Sequence, residues 1–386
     1  MTMFENAYGG KTVLVTGHTG FKGSWLSEWL SLLGAKVVGY SIDPANDVCF
    51  TSPSHFTELG LRERIHAHIE GDVTDLQKVL ATFSTYQPDF VFHLAAQPLV
   101  RRAHDEPHPT VETNVIGTLN VLEAARLQER PSIIIMITTD KVYENVGWLH
   151  SYREPDTLGG EDTYSASKAC AELVISSYWR SFFAPKLDDW GITIAPVRGG
   201  NVIGGGDWAK DRIVPDVMKA LHAGQQVEIR NRNATRPWQH VLELLGGYLY
   251  LGVVTSLRRQ AFLEASQHAR PDALAKLAEL CSPFNFGPSL ASNKSVGILV
   301  DEIFKHWPGE SSDSTKPGEP REAGKLNLAV DKAYHALGWR PTWSFEQTIQ
   351  HTVSWYREFY TKAQGKPEAV RELTQGQIRL YSDALE

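Results

Sequence analysis

The chain is poor in cysteine, in long apolar runs and in clustered charge of one sign. Its three cysteines, Cys49, Cys170 and Cys281, stand far apart and form no CxxC spacing. They offer neither a disulfide framework nor a zinc site, and isolated thiols suit a reducing, cytoplasmic setting. The 14 histidines show no metal-ligand spacing, so no metal is expected. No apolar stretch approaches the roughly 20 residues that span a bilayer. The start, MTMFENAYGG, lacks the basic segment and apolar stretch of a signal peptide. Net charge is −7 with no basic tract, which argues against nucleic acid as a partner. Neither an internal repeat nor a low-complexity tract is present. What remains is 386 residues, 42% hydrophobic and 22% charged, enough for one large globular domain or two joined ones.

Up to about residue 200, strand-like runs alternate with helix-like segments. The strand candidates are KTVLVTG, KVVGYSI, RIHAHIEGD, FVFHLAA, SIIIMITT and GITIAPVRGG. Helical patterns lie between them at 24–33, 111–127 and 166–183. Such alternation implies parallel βαβ units and an α/β fold with a doubly wound sheet. Beyond residue 200 the alternation weakens. GGGDW reads as a glycine-rich loop, GESSDSTKPGEPREAG as a long polar loop, and PFNFGP as one more strand after a helix from about His240. The expected division is a Rossmann domain over 1–198, to which the chain returns at about 237–260 and 283–288. A smaller, mostly C-terminal substrate-binding lobe takes 199–236 and about 261–386.

VLVTGHTGFKG sets Gly17, Gly20 and Gly23 after the first strand and at the start of a helix. Glycines there permit a tight turn and let a pyrophosphate approach the backbone amides and the positive helix terminus. A bare βα turn would explain the glycines too, but the first strand–helix junction of an alternating chain is where a dinucleotide sits. Thr19, Phe21 and Lys22 complete the expected loop. The second strand runs into Ser41 and Asp43 with no arginine for a 2′-phosphate, which favours NAD over NADP. Asp43 fits the ribose position by its spacing, or it caps the turn before Pro44. Asp72, with Val73, is placed beside the adenine, or it pairs with Asp75 in a helix N-cap. Leu94, Ala95 and Ala96 end the fourth strand against the same cofactor.

EDTYSASKACAE puts Tyr164 and Lys168 four residues apart on one helical face. A tyrosine of ordinary pKa, about 10, is a poor base at neutral pH. A neighbouring ammonium and an oxidised nicotinamide both favour its phenolate and make it a usable base for a sugar hydroxyl. YxxxK alone arises by chance. It gains weight from IIIMITTDKVY, where a buried, β-branched strand opens onto Thr138, Thr139, Asp140 and Lys141.

Together these motifs resemble the extended short-chain dehydrogenase/reductase superfamily, through TGHTGFKG, HLAAQ, TNVIGT, TTD, YSASK and VRGGNVIGGGDW, spread over about two-thirds of the chain. Within it, HLAAQPLVRRAHDEP, TTDKVYEN, RPWQHVLE and the closing GWRPTWSFEQTIQHTVSWY resemble the CDP-glucose 4,6-dehydratases. That resemblance implies bound NAD, a CDP-glucose substrate and three steps: oxidation at C4, loss of water across C5 and C6, and return of hydride to C6. It implies Tyr164 as the oxidising base with Lys168 beside it, Thr139 holding the 4-hydroxyl, and Asp140 as acid for the departing 6-hydroxyl. Lys141 stands at the position of the C5 base. The dTDP-glucose dehydratases carry Glu there, so Lys141 either loses its proton and acts as base or only stabilises the enolate. The same resemblance implies deoxysugar synthesis for surface polysaccharide such as the O-antigen of lipopolysaccharide, by a cytoplasmic homo-oligomer, a dimer or tetramer, without membrane attachment.

Candidate substrate contacts are Gln97, Arg101, Arg198, Asn201, Arg212 and Arg236. Arginine meets diphosphate oxygens in a bidentate way, and asparagine bonds without adding charge. Each is equally open to an ordinary ion-pair or packing role. The rivals are a sugar-nucleotide 4-epimerase, which would not need the Asp140–Lys141 pair, and an NAD-binding sensor, which would not need Thr139, Tyr164 and Lys168.

Overall fold

A computed structural model describes residues 2–44, 53–209, 212–313 and 326–385. Cys49 and the centre of the polar loop lie outside them. Seven strands form one parallel sheet: β1 (Thr12–Thr16), β2 (Lys36–Ser41), β3 (Ala67–Glu70), β4 (Phe90–His93), β5 (Ile133–Ile137), β6 (Thr193–Gly199) and β7 (Phe284–Phe286). Their spatial order is β7-β6-β5-β4-β1-β2-β3, so the order in which strands are added reverses between β1 and β4. Ligands in open α/β sheets bind at such a switch point, outside the carboxyl ends of the strands.

Helices cover both faces, and the period-2 alternation of each strand decides which residues meet which layer. Val13, Val15, Ile133, Ile135 and Ile137 face a large core with Trp25 and Trp29 of the helix Phe21–Leu32 and the leucines of Val241–Glu264. Leu14, Val38, Ile134 and Met136 face a second core with Val79, Val121 and Ile175 from three helices on the other side. The strands are thus buried on both faces, as their continuous apolar runs require.

The sequence expectations of helix limits shift. A helix Thr2–Tyr8 precedes β1, and the helix expected from residue 24 begins at Phe21, inside the glycine loop, because Gly20 serves as its N-cap. The stretch 111–127 is broken by a π-turn at Glu112–Ile116, which turns Asn114 inward to bond the backbone of Gln97 and the Ser167 hydroxyl. The catalytic helix runs Thr163–Tyr178, starting at the Asp162 cap, and ends in another π-turn, Trp179–Phe183.

One expectation needs correction. The helix Val241–Glu264 is long and apolar enough to cross a membrane by length and composition. It is a core helix: 72% of its most apolar window is buried inside the protein, against β5 and β6. After it, β7 joins the sheet beside β6, as PFNFGP suggested. Three small two-stranded ladders complete the second half, among them Thr235–Pro237 against Asn293–Ser295.

Candidate active site

The principal cleft opens at the switch point. Gly17 turns with φ +72°, and a Cβ there would stand 2.7 Å from the Ala95 nitrogen. At Gly23 a Cβ would stand 2.1 Å from the Gly17 carbonyl, so helix and loop approach only because both residues are glycine. Gly20 meets nothing nearer than 3.4 Å and leaves the helix N-terminus open to the cleft. This cradle, positive and lacking side chains, fits a dinucleotide pyrophosphate. Gly17, Thr19, Gly20, Phe21, Lys22, Gly23, Ser41, Asp72, Val73, Leu94, Ala95 and Ala96 all line the cleft where the sequence placed them. Asp43 does not. β2 ends at Ser41, whose hydroxyl pairs with Thr19 at 2.7 Å, and the cleft wall continues through Ile42 rather than Asp43. Asp72 lines the cleft and accepts the Thr74 amide, while the helix Leu76–Tyr86 is capped by Asp75.

At the other end of the cleft stand Tyr164 and Lys168 on the helix Thr163–Tyr178. Lys168 donates to the Ile137 carbonyl at 3.3 Å, which fixes its ammonium under the end of β5. Burial and the charge of Lys22 push Lys168 down to about 7, with Glu172 pulling the other way. Burial raises the Tyr164 phenol, and the Lys141 charge and a hydrogen bond with Thr139 oppose it. Sequence reasoning assigned that acidifying role to Lys168; here Lys141 and Thr139 share it.

The four polar residues after β5 divide their work. Thr138 continues the pairing with β6 and gives its hydroxyl to Glu172 at 2.7 Å. Thr139 caps a short 3-10 turn, Asp140–Val142, and donates to Asp140 Oδ1 at 3.0 Å. Asp140 is buried, with the Lys141 Nζ 3.7 Å away. Lys22 feels Arg212, Asp140 and Lys141; burial, Arg212 and Lys141 together lower it to about 8. Lys22 and Lys141 thus lie near Asp140, and Lys141 and Arg212 act on the Tyr164 phenol.

The expected substrate contacts fare unevenly. Arg212 lines the cleft, tied to Asp207 at 2.9 Å. Asn201 and Arg236 do not line it, although their neighbourhood reaches the site: a Cβ at Gly200 would stand 3.0 Å from Asp140 Oδ2. Arg101 is exposed on the helix Val100–Asp105, and its neighbour Arg102 lines the cleft instead. Gln97 borders the cleft, but its amide is engaged by Thr110 and by the backbone of Leu99, stabilising the turn after β4. Arg198 is a correction. It is 2% exposed and paired with Glu172, behind the catalytic helix rather than in the cleft. Sequence reasoning missed Ser54, His55, Thr113 and the wall formed by residues 206–209. Of these, Thr113 lay in the quoted TNVIGT and residues 206–208 in GGGDW, while Ser54 and His55 carried no signal. Trp208 packs on Trp355 and Phe359, as its apolar bulk suggested, while bordering the cleft.

The glycine cradle at the switch point leads to a Tyr–Lys pair beside a strand-end threonine, the arrangement that the resemblance to the extended short-chain dehydrogenase/reductases implied. Comparison with known proteins narrows this. The GDP-mannose 4,6 dehydratase family matches residues 14–251, more than half of the chain, and the chain belongs to that family. A CDP-glucose 4,6-dehydratase of Salmonella typhimurium is 42% identical over 356 residues, covering 92% of each chain. In fold, the chain resembles the dTDP-glucose 4,6-dehydratase of Bacillus anthracis, solved with NAD, at a TM-score of 0.69 and 18% identity, over 94% of this chain and all of that one. It resembles the UDP-glucose 4-epimerase of Thermus thermophilus, also solved with NAD, equally well at 0.69 and 23% identity, over 90% of this chain and 99% of that one. The fold alone does not separate dehydratase from epimerase; the residues after β5 must.

Proposed function

We propose that the protein dehydrates CDP-D-glucose to CDP-4-dehydro-6-deoxy-D-glucose with NAD held in the cleft. The observation that carries this reading is the buried Asp140 with Lys141 at 3.7 Å, directly after Thr139 and facing Tyr164. An epimerase has no step that needs such an acid and amine. The 42% identity with a CDP-glucose 4,6-dehydratase supports cytosine as the base.

Tyr164 accepts the proton of the 4-hydroxyl, and Thr139 orients that hydroxyl. The resulting ketone acidifies C5. Lys141, with its Nζ 3.7 Å from Asp140, removes the C5 proton, which it does in its neutral form. Asp140 protonates the 6-hydroxyl, which leaves as water. Lys168 holds the base in place through the charge it presents from the end of β5. Arg212 and Arg102 supply cations for a diphosphate. In this reading residues 199–236 and about 261–386 act as the nucleotide-sugar lobe, with Asn201 and Arg236 on its inner side. The same family likeness supports a cytoplasmic homo-oligomer that supplies deoxysugars for O-antigen and lipopolysaccharide.

Incubation with CDP-, dTDP-, UDP- and GDP-glucose tests this, read by the alkaline absorbance of a 4-keto-6-deoxy sugar. Product from CDP-glucose is expected. A 4-epimer without dehydration, or no keto sugar from any of them, would overturn the reading.

A further inference from the structure

Behind the catalytic helix lies a buried polar network that the reaction does not touch. Glu172 follows Lys168 by one helical turn, on the face that carries Tyr164. Its carboxylate takes the Thr138 hydroxyl from the end of β5 at 2.7 Å and the Arg198 guanidinium from β6 through two nitrogens, the Nε at 2.8 Å. Arg198 continues to the Tyr143 hydroxyl at 2.7 Å and the Glu154 carbonyl at 3.0 Å. Tyr143 passes the chain on to Asn285 of β7 at 2.8 Å. Glu172 and Arg198 are 3% and 2% exposed. A buried pair of this kind gives little net stability, whereas one partner alone costs much. Its geometry therefore asks for a second reason.

We infer that Glu172, held by Arg198, is a positioning residue for the reaction: it fastens the polar end of β5 to the catalytic helix and sets a carboxylate against the Lys168 ammonium. The inference rests on the proposed oxidation by Tyr164 and Lys168. Around Lys168 the facing groups are Lys22 from the cofactor loop, His93 from β4, and Tyr164 and Glu172 from its own helix. Burial keeps His93 neutral, down to about 3. Lys22 repels the Lys168 charge, and Glu172 is the carboxylate that favours it. Thr138 bonded to Glu172 leaves Thr139 facing the site, so one carboxylate meets both the strand end that carries Thr139 and the charge of Lys168.

The test is a carbon-13 NMR titration of lysine-labelled protein, with the Lys168 signal assigned by Lys168→Arg, alongside reduction of bound NAD⁺ by CDP-glucose. Glu172→Gln should lower the Lys168 midpoint by about one unit, the scale of a lost opposite charge nearby. Because that variant strands Arg198, Glu172→Gln/Arg198→Gln removes both charges, should fold, and should lower the midpoint as well. Glu172→Asp should stay near wild type. In the first two variants NAD⁺ reduction should slow by roughly tenfold, with cofactor affinity kept. An unmoved Lys168 midpoint in the folded double variant overturns the inference and leaves the pair a structural brace. A shifted midpoint in a protein whose wild type never oxidises a nucleotide hexose shows the Glu172–Lys168 coupling but sinks the function proposed above, and the positioning role falls with it.

Discussion

Asp140 and Lys141 lie side by side, yet each would halt the reaction for a different reason. If Lys141 takes the C5 proton, Lys141→Ala should still oxidise C4 and then stall as a 4-ketohexose that keeps its 6-hydroxyl. Asp140→Asn should stall at a related point, because the departing oxygen lacks its proton. Exchange separates them. In D₂O, Asp140→Asn should still carry deuterium into C5, since the base survives. Lys141→Ala should lose that exchange by about 10²-fold, the usual scale for a missing general base. Mass spectrometry of the recovered sugar reads it. Wild-type exchange in Lys141→Ala would reassign the base to another group and leave Lys141 stabilising the enolate.

At the scale of elements, the end of β2 sets cofactor choice. Ser41 and Thr19 bond each other there, and Ile42, Gly71, Asp72 and Val73 continue the wall. No lysine or arginine lines this end among the described residues, and Asp72 would repel a 2′-phosphate. NAD(H) should therefore bind stripped enzyme at least about tenfold more tightly than NADP(H), equivalent to roughly 1.4 kcal/mol. Equal dissociation constants would show that the strand end has been misread. The elements themselves were legible where the signal was local. β-branched runs gave the strands, and glycines and the Tyr164–Lys168 spacing gave the cradle and the catalytic helix. The choice of Asp43 failed because spacing says nothing about where a strand stops. Arg198 failed because its partner, Glu172, becomes its neighbour only when β6 packs behind the helix. Gln97 does line the cleft, but its amide is taken up by Thr110 on the helix Pro107–Val111. Long-range pairing consumes polar groups that a sequence displays as available.

Across the whole molecule, one buried carboxylate joins the core to two elements of the last part of the chain. Glu243, on the helix Val241–Glu264, accepts the amides of Thr342 (3.0 Å) and Trp343 and the hydroxyl of Tyr381 at 3.1 Å. These belong to the turn before the helix Phe345–Glu358 and to the closing helix Pro367–Ala384. Burial nonetheless raises Glu243 from 4.5 to about 7, outweighing the three donors that favour its ionised form. The folded state thus holds a proton that the unfolded state releases across this interval. Stability from this group is complete below about 4.5 and declines as pH rises through 7, by on the order of 3 kcal/mol. Glu243→Gln cannot ionise and keeps an oxygen for the two amides. Urea unfolding of both proteins at pH 5 and pH 8 should therefore show wild type losing about 3 kcal/mol more than the variant over that span. Parallel losses in the two proteins would mean that Glu243 stays ionised in the fold, its donors having overcome its burial.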